Sequence, residues 1–532
     1  MAIRDSWHLL PFLAHRAPTR AMPPTITKPE NGVLFPADPK SGKRSTLSGG
    51  KAVFSAAAKA VDEKLSNKIA SEKDFRGGYE KHVVALMEAG SASPTAAIAI
   101  AEAGLAAVYS SFEFMRDGKA TSLAEAMASP SAAAALSTAT VQGSGSPFKK
   151  VVVPYEGTNL EGDALLKELK KWTEVGTQEP GVETGIAHIA SGGVPDLSDK
   201  VFIVLGATSA LGPLQHLLKW GATVIGVARK KPQNWSDLIT MAKGTTGTLM
   251  FPVSGDPSTM SEAELAASAG ADLMVDTPEL LAWLKTAIAQ ANKPNAIVGM
   301  YTYLDSDAHV RVTIGADLIM SALSKASGGP CNSLAYIQTP SLAYDIPEAA
   351  WSASKANYGS SWLSFIGYSQ NARPPVKGTS PPRYVHDGMI NMQGPNYALA
   401  KTIQMWRSTL ARARDGLIVS ANCAPPARTA SMVAGDNKNA GAVAVGLNGM
   451  GHFRPFACFD QETVSACMAA LLVHDVTNKQ ALSQPSATMV HPYDLFSHQA
   501  FHGGGFRVGV KPSQLSTLFY IAGKLRGPAS AL

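Results

Sequence analysis

The sequence predicts an α/β protein built on a doubly wound parallel sheet, preceded by an α-helical N-terminal region. Two observations predict the sheet. Short apolar runs recur between residues 200 and 475, and stretches with helical spacing separate them. The first of these runs ends in glycine and leads into a helix. Strands that alternate with helices form a parallel sheet with right-handed crossovers, covered on both faces.

Composition is typical of a globular protein and excludes several function classes. The chain has 532 residues, of which 45% are hydrophobic and 17% charged, so it can bury a large core. Its net charge of +6 is small and its basic residues are interspersed with acidic ones, so we expect no nucleic-acid partner. The apolar stretches are too short to span a bilayer. The four cysteines form no C-x-x-C pair, which favours reduced thiols inside the cell.

The first 39 residues are predicted to be a flexible N-terminus. Between Met1 and Lys28, four basic residues stand against a single acid, Asp5, which is the balance of an organelle transit peptide. Four prolines in the same segment favour an unstructured start instead. The sequence therefore leaves open a cytoplasmic, mitochondrial or plastid location.

Three further regions flank the predicted sheet. Residues 40–147 are predicted to be helical because they are rich in alanine, the best helix former, with apolar residues at helical spacing. The glycines and serines at 142–147 are typical of a linker, and residues 148–199 supply a connecting strand and helix. Residues 476–532 are predicted to form a C-terminal extension that serves as a lid or an interface.

The predicted sheet domain spans residues 200–475 and contains six apolar runs. Such continuous runs are expected of buried parallel strands. An insertion at about 343–395 is long enough to indicate a functional loop. The six runs are Lys200–Gly206, Ala222–Ala228, Thr248–Phe251, Ala296–Met300, Ser333–Ile337 and Gly416–Ala421.

The turn after the first predicted strand carries the most informative motif. Glycine at the end of a strand lets the chain turn sharply and brings backbone N–H groups towards a pyrophosphate. The N-terminus of the following helix adds a positive dipole end. An ordinary strand-to-helix turn is the alternative interpretation. The candidate cofactor-binding residues of this turn are Gly206, Thr208, Ser209, Ala210, Leu211 and Gly212.

The second predicted strand ends in the basic run 229–231. A carboxylate here would bond the ribose 2′-hydroxyl of NAD, whereas a basic residue suits the 2′-phosphate of NADP. Arg229 is therefore the candidate contact for NADP, with NAD as the second choice. A solvated basic loop is the alternative explanation of the same residues.

The glycine turn resembles the motif of the short-chain dehydrogenases/reductases, with Ala210 in place of the usual middle glycine. This resemblance implies a Rossmann-like fold, a nicotinamide cofactor, a small-molecule substrate and a catalytic Tyr-x-x-x-Lys pair. Two segments could supply the pair. Trp351–Lys355 lacks the tyrosine, whereas Tyr397–Lys401 has both residues and stands at the expected place before the sixth strand.

The pair Tyr397 and Lys401 is therefore the candidate catalytic pair. Residues four apart on a helix share a face, so the lysine can stabilise the phenolate and reach a nicotinamide ribose. Tyr397 would then protonate the oxygen that forms as hydride reaches a carbonyl. The family's catalytic serine corresponds to Ser341 or Thr339, either of which could equally be a turn residue. After the sixth strand, Thr429 ends a turn like the family's and is a further candidate cofactor contact.

Two functions from different classes follow from these motifs. The first is an NADP-dependent reductase of a carbonyl or enoyl group, favoured by Tyr397, Lys401 and Arg229. The second is a catalytically degenerate nucleotide-binding or scaffold protein on the same fold, favoured by Ala210 and by Pro426 in place of a glycine. The substrate is not predictable from loops that vary freely, and assembly into a homo-oligomer stays open.

A cluster of His491, Asp494, His498 and His502 lies in the C-terminal extension. His498 and His502 stand four residues apart, as two metal ligands on one helix would. The cluster matches no recognised metal-binding spacing, and we therefore expect no metal there.

Overall fold

The computed structural model describes residues 31–38, 41–390, 393–429 and 440–529. Residues 1–30 of the predicted flexible N-terminus, with the transit-peptide alternative, lie outside the described residues. Within the same predicted segment, Gly32–Leu34 forms a buried strand that pairs with a later one, so this part is ordered where a flexible chain was expected. No helix in the described ranges has both the length and the apolar composition needed to cross a membrane.

Sixteen strands are described, most of them where the sequence alternates short apolar runs with turns. In chain order they are β1 (Gly32–Leu34), β2 (Glu113–Arg116), β3 (Lys119–Ser122), β4 (Ser137–Gln142), β5 (Val153–Tyr155), β6 (Thr158–Leu160), β7 (Lys200–Leu205), β8 (Thr223–Val227), β9 (Thr248–Val253), β10 (Asn295–Met300), β11 (Cys331–Gln338), β12 (Ala343–Ile346), β13 (Tyr384–Asp387), β14 (Ile418–Cys423), β15 (Ala427–Arg428) and β16 (Phe459–Asp460).

Nineteen α-helices accompany these strands in the described ranges. They are α1 (Thr46–Lys59), α2 (Glu63–Ser71), α3 (Phe75–Ser91), α4 (Pro94–Ser111), α5 (Leu123–Ala128), α6 (Gly162–Glu174), α7 (Pro180–Gly192), α8 (Leu214–Lys219), α9 (Pro232–Lys243), α10 (Glu262–Ser268), α11 (Thr277–Ala291), α12 (Asp307–Leu323), α13 (Glu348–Ser360), α14 (Trp362–Phe365), α15 (Gly394–Ala413), α16 (Ala440–Met450), α17 (Gln461–Thr477), α18 (Asp494–Ser497) and α19 (Pro512–Arg526).

The central sheet has the strand order β14-β11-β10-β7-β8-β9-β4. Its first six strands pair in parallel. The chain runs outward from β7 to β9 and then returns to β10 on the other side of β7. The strand order therefore reverses between β7 and β10, which is where ligands bind in open α/β sheets. The prediction of a doubly wound, Rossmann-like fold is confirmed, and each of the six predicted runs contains or overlaps one parallel strand.

The N-terminal region contains the predicted helices and, in addition, strands that were not predicted. Ser137–Gln142 forms β4, which pairs antiparallel with β9 and becomes the edge of the central sheet. This segment alternates buried with exposed residues and includes the β-branched Thr138, Thr140 and Val141, which suit a half-buried strand. The expected linker after it is tied to the sheet domain, since the N–H of Gly143 donates to the carbonyl of Gly247 at 2.8 Å.

The two faces of the central sheet are covered by different helices. Along β7, Val201 and Ile203 face a core shared with α11, α12 and α15, whereas Phe202 and Val204 face one shared with α8, α9 and α17. The N-terminal helices α1 to α4 belong to the first core, and α1, α3 and α4 pack on the outer side of α15. As a result, α15 is buried on nearly every side.

A buried ion pair joins three of these helices. Arg407 of α15 meets Asp317 of α12 through Nε–Oδ1 and Nη2–Oδ2 contacts of 2.9 Å each. Tyr109 of α4 donates to the same carboxylate at 2.6 Å. The side chains of Arg407 and Asp317 are 10% and 1% exposed, so neither charge has water to solvate it. This cluster fixes α15 against α12 and against the N-terminal helices.

The substitution Asp317→Ala should lower the free energy of unfolding by about 3–5 kcal/mol, because it leaves Arg407 as a buried cation without its carboxylate. The matched control is Arg414→Ala at the end of α15, whose ion pair with Glu102 is 44% and 48% exposed. The control should cost less than about 1 kcal/mol. Urea unfolding of the parent protein and the two variants measures both changes in the free energy of unfolding. Equal losses in the two variants would show that the pair between Arg407 and Asp317 is no more important to stability than an exposed ion pair.

Candidate active site

The glycine turn after β7 lies at the point where the strand order reverses. Gly206 has a φ of +102°, and a Cβ there would lie 3.0 Å from the backbone nitrogen of Thr302. The N–H groups of Gly206 and Ala207 both donate to the carbonyl of Val227 at 2.9 Å. Glycine is therefore required at 206 by its backbone conformation and by the close approach of the chain beyond β10.

The remainder of the turn leads into a short helix. Thr208 and Ala210 are exposed, Ser209 and Leu211 are half-buried, and Gly212 is buried. The helix α8 begins only at Leu214 and spans six residues. Arg229 is exposed two residues past the end of β8, on the side of β7 away from β10. The described turn thus leaves its tip and the Arg229 side chain open to a ligand.

The candidate pair lies on one face of α15. Tyr397, Lys401 and Gln404 follow each other at spacings of four and three residues, which places them on the same side of a helix. The Nζ of Lys401 donates to the carbonyl of Ile337 at 2.9 Å and to Oε1 of Gln404 at 3.2 Å. Burial lowers the pKa of Lys401 to about 8. The ammonium group is therefore held at the carboxyl end of β11.

Two hydroxyl groups lie beside Tyr397. The Oγ1 of Thr339 and the Oγ of Ser341 are 2.8 Å apart and buried, just past the end of β11. Burial raises the pKa of Tyr397 to about 12, and hydrogen bonds with the two hydroxyls oppose that rise. The Tyr397 phenol is therefore protonated at neutral pH. The sequence offered Thr339 and Ser341 as alternatives, and the structure brings both to the tyrosine.

The backbone of this turn is fixed by the inserted segment. The hydroxyl of Tyr344, on β12, donates to the carbonyl of Thr339 at 2.6 Å. The strand β12 pairs antiparallel with β13, so the insertion at 343–395 contributes a two-stranded sheet next to the two hydroxyls. Within the same insertion, Lys355 is exposed on α13 and lies over the Trp351 ring at 4.4 Å. In the alternative segment Trp351–Lys355, the lysine therefore contacts the tryptophan of the same segment at the surface.

The remaining candidate, Thr429, is buried past the short strand β15. Its N–H donates to the carbonyl of Ala427 at 3.0 Å. It follows β14, whereas Gly206 and Arg229 follow β7 and β8. The candidates therefore fall into two groups along the carboxyl edge of the sheet, one around Tyr397 and one around the glycine turn.

Three polar side chains at this edge were missed by the sequence-based prediction. Thr302 Oγ1, His309 Nε2 and both amide atoms of Gln338 are buried without a hydrogen-bond partner in the described part of the chain. Thr302 adjoins Gly206, and Gln338 directly precedes Thr339. Gln338 could have been found as the polar residue that ends a buried strand. No sequence motif marks His309.

The C-terminal extension lies across the edge between β11 and β14. Cβ atoms at Gly503 and Gly505 would lie 2.7 Å from Pro426 and 3.5 Å from Pro340, which follow those two strands. Beside them, His502 Nε2 lies 3.0 Å from the carboxylate of Glu179, which also accepts two hydrogen bonds from Arg507.

The histidines predicted as a cluster are dispersed in the structure. The Nε2 of His491 lies 3.2 Å from the carbonyl of Gly90 in α3, whereas His502 contacts Glu179. Among the described residues no three His, Cys, Asp or Glu side chains are grouped so that they could hold a metal ion.

No family model and no curated protein matches the chain. Two mutant forms of a Serratia marcescens short-chain dehydrogenase/reductase match with TM-scores of 0.30 and identities of 14% and 13%, over 58% of this chain and 98% of theirs. The terminal R domain of the myxalamid PKS-NRPS pathway matches with a TM-score of 0.27 and 16% identity, over 51% of this chain and 61% of its own. Similarity at this level does not indicate what this chain binds or catalyses.

The substitution Gly206→Ala should destabilise the protein by more than the strain of a positive φ, which costs about 1–2 kcal/mol, because its Cβ also meets the Thr302 backbone. The matched control is Gly378→Ala, where φ is +78° and no atom lies within 4 Å of the new Cβ. Thermal unfolding compares the two variants with the parent protein. An equal loss of stability in both would show that the contact with Thr302 is unimportant.

Proposed function

We propose that the protein is a nicotinamide-nucleotide-dependent oxidoreductase that reduces a carbonyl or enoyl group, with NADPH as its cofactor. The observation that carries this proposal is the environment of Tyr397. Its half-buried, protonated phenol has two hydroxyls beside it and an ammonium group one helical turn away. All of these groups lie at the edge of the sheet where ligands of doubly wound folds bind.

The residues present fit a dinucleotide. Unpartnered buried polar atoms are costly unless something satisfies them, and Thr302 and Gln338 supply such atoms between the glycine turn and Lys401. In the proposal, the turn at 206–212 holds the pyrophosphate and Arg229 contacts the 2′-phosphate. Lys401 and Gln338 hold the nicotinamide end. The bound nicotinamide supplies the hydride.

Residues of the protein then supply the proton that the reduction requires. Tyr397 keeps its proton on the phenol oxygen at neutral pH, so it is ready to donate as negative charge develops on the substrate oxygen. Of the Thr339 and Ser341 hydroxyls, which are hydrogen-bonded to each other, one donates to its neighbour and the other donates to the substrate oxygen and holds it beside the phenol. Such preorganised donors stabilise developing charge most strongly in a site that excludes water. The ammonium of Lys401 stabilises the phenolate that is left.

A catalytically degenerate nucleotide-binding protein is the second candidate. The observation that favours it is the six-residue helix α8, which begins only after Pro213. The turn thus lacks the long helix whose N-terminus would face a pyrophosphate in the expected geometry. The two candidates differ in whether bound nucleotide is consumed.

Titration with NADPH and NADH, followed by cofactor fluorescence, tests the proposal. We expect tighter binding of NADPH, lost in Gly206→Asp and weakened roughly tenfold in Arg229→Ala, because that substitution removes a charge-assisted contact worth about 1–2 kcal/mol. Lys230→Ala, next to Arg229, is the matched control. Absence of binding of either nucleotide would contradict the proposal.

Turnover with a panel of carbonyl and enoyl compounds separates the two candidates. Tyr397→Phe should keep nucleotide affinity and lower kcat by about 100-fold or more, because it removes the proton donor and leaves the ring. Tyr384→Phe, outside the proposed site, is the control. Nucleotide binding without turnover on any of these compounds would favour the degenerate protein.

Lys401→Met should change the pH dependence of nucleotide affinity and the free energy of unfolding. The folded pKa of Lys401 is about 8 against an ordinary 10.5, so between these values the folded state holds fewer protons and stability rises with pH. We expect nucleotide affinity of the parent protein to fall as pH rises through about 8, as the cation is lost. The variant should lack that dependence and gain about 1–2 kcal/mol of stability at pH 7.

The control for this substitution is Lys355→Met, at an exposed lysine on α13. It should leave the pH profile of binding unchanged and lower the free energy of unfolding by no more than about 1 kcal/mol, because its contact with the Trp351 ring is at the surface. Urea unfolding at pH 7 and pH 9.5 and nucleotide titration across the same range provide the measurements. A Lys401→Met variant that is less stable than the parent, with unchanged pH dependence, would contradict the assigned environment.

A further inference from the structure

His309 lies in the first turn of α12, the helix that follows β10. Its imidazole is 1% exposed. It stacks on the ring of Tyr397 at 5.4 Å, with 23° between the planes, and contacts the ring of Tyr303 at 5.1 Å. The imidazole therefore lies directly against the ring of the proposed proton donor.

The protonation state of this imidazole follows from its surroundings. Burial and the nearby charge of Lys401 lower the pKa of His309 to about 3, so the ring is neutral at physiological pH. The backbone N–H of Leu304 points to Nδ1 at 3.4 Å, which makes Nδ1 the acceptor. The single ring proton is consequently on Nε2, and that nitrogen is a hydrogen-bond donor.

The donor has no partner in the described part of the chain. Nε2 of His309 is buried and makes no hydrogen bond there. Buried donors are almost always satisfied, and an exception beside a reactive side chain needs an explanation. Only an acceptor could satisfy an N–H donor, and the imidazole lies between the rings of Tyr303 and Tyr397, with the ammonium of Lys401 near enough to act on its charge.

We propose that His309 donates a hydrogen bond from Nε2 to an acceptor oxygen of the molecule bound beside Tyr397. The inference rests on the proposed function and adds a residue that holds the ligand as a neutral donor. The acceptor is a ribose or carboxamide oxygen if the nucleotide carries it, and a carbonyl oxygen if the substrate carries it. A neutral imidazole donates without giving up its proton, so the proton donor is still Tyr397.

Two substitutions distinguish the contribution of the Nε2–H donor from that of the stacked ring. His309→Phe keeps a ring that can stack on Tyr397 and removes the N–H, whereas His309→Gln supplies a side-chain N–H near the position of Nε2. The control is His452→Phe, at a half-buried histidine whose Nε2 lies 3.1 Å from the carbonyl of Gly527. Circular dichroism and thermal unfolding establish that each variant is folded.

The readouts are the dissociation constant of NADPH and, separately, kcat and KM. We expect His309→Phe to raise the dissociation constant of NADPH, lower kcat or raise KM by about tenfold or more. His309→Gln should reverse most of that change. A loss in NADPH affinity assigns the acceptor oxygen to the nucleotide. Unchanged NADPH affinity with a loss in kcat or a rise in KM assigns it to the substrate.

Three results would overturn the inference, and they differ in what else they overturn. A folded His309→Phe variant with parental NADPH affinity, kcat and KM would mean that the donor contacts an ordered water or nothing, while the proposed function would stand. Failure of the parent protein to bind NADPH or NADH would overturn the proposed function and this inference together. Equal losses in His309→Phe and His309→Gln would assign His309 to packing alone.

Discussion

The arrangement of the proposed site depends on the buried ion pair between Arg407 and Asp317. This pair locks α15 against α12, with Tyr109 of α4 as a third member. Tyr397, Lys401 and Gln404 lie on the same helix as Arg407, and His309 lies on the same helix as Asp317. Two charges that cannot reach water thus determine where the reactive side chains meet the end of β11.

The segments outside the sheet domain help to exclude water from the proposed site. The N-terminal helices cover the outer side of α15, which in an ordinary doubly wound fold would face solvent. Gly104 of α4 allows the ring of Trp406 to approach its backbone closely. Exclusion of water explains why the pKa of Lys401 falls and that of Tyr397 rises. The helical region and the C-terminal extension are therefore parts of the site's environment.

The sequence predicted the parts of the molecule that local patterns determine. The parallel strands were predictable because buried apolar runs and glycine turns mark them. The placement of Tyr397 and Lys401 on one helix before a strand was predictable in the same way, whereas their catalytic role stays a prediction. The strand β4 was missed because its partner, β9, lies more than 100 residues later in the chain. His309 was missed because its contact with Tyr397 arises only when α12 and α15 pack together.

In the proposed site, one nicotinamide nucleotide spans the edge from the glycine turn to Tyr397. A crystal structure of the protein grown with NADP⁺ would show where the nucleotide binds. We expect the pyrophosphate at residues 206–212, the 2′-phosphate near Arg229 and the nicotinamide ribose beside Lys401. Nucleotide bound elsewhere on the protein, or bound at this edge with its nicotinamide away from Tyr397, would show that the proposed site is wrong.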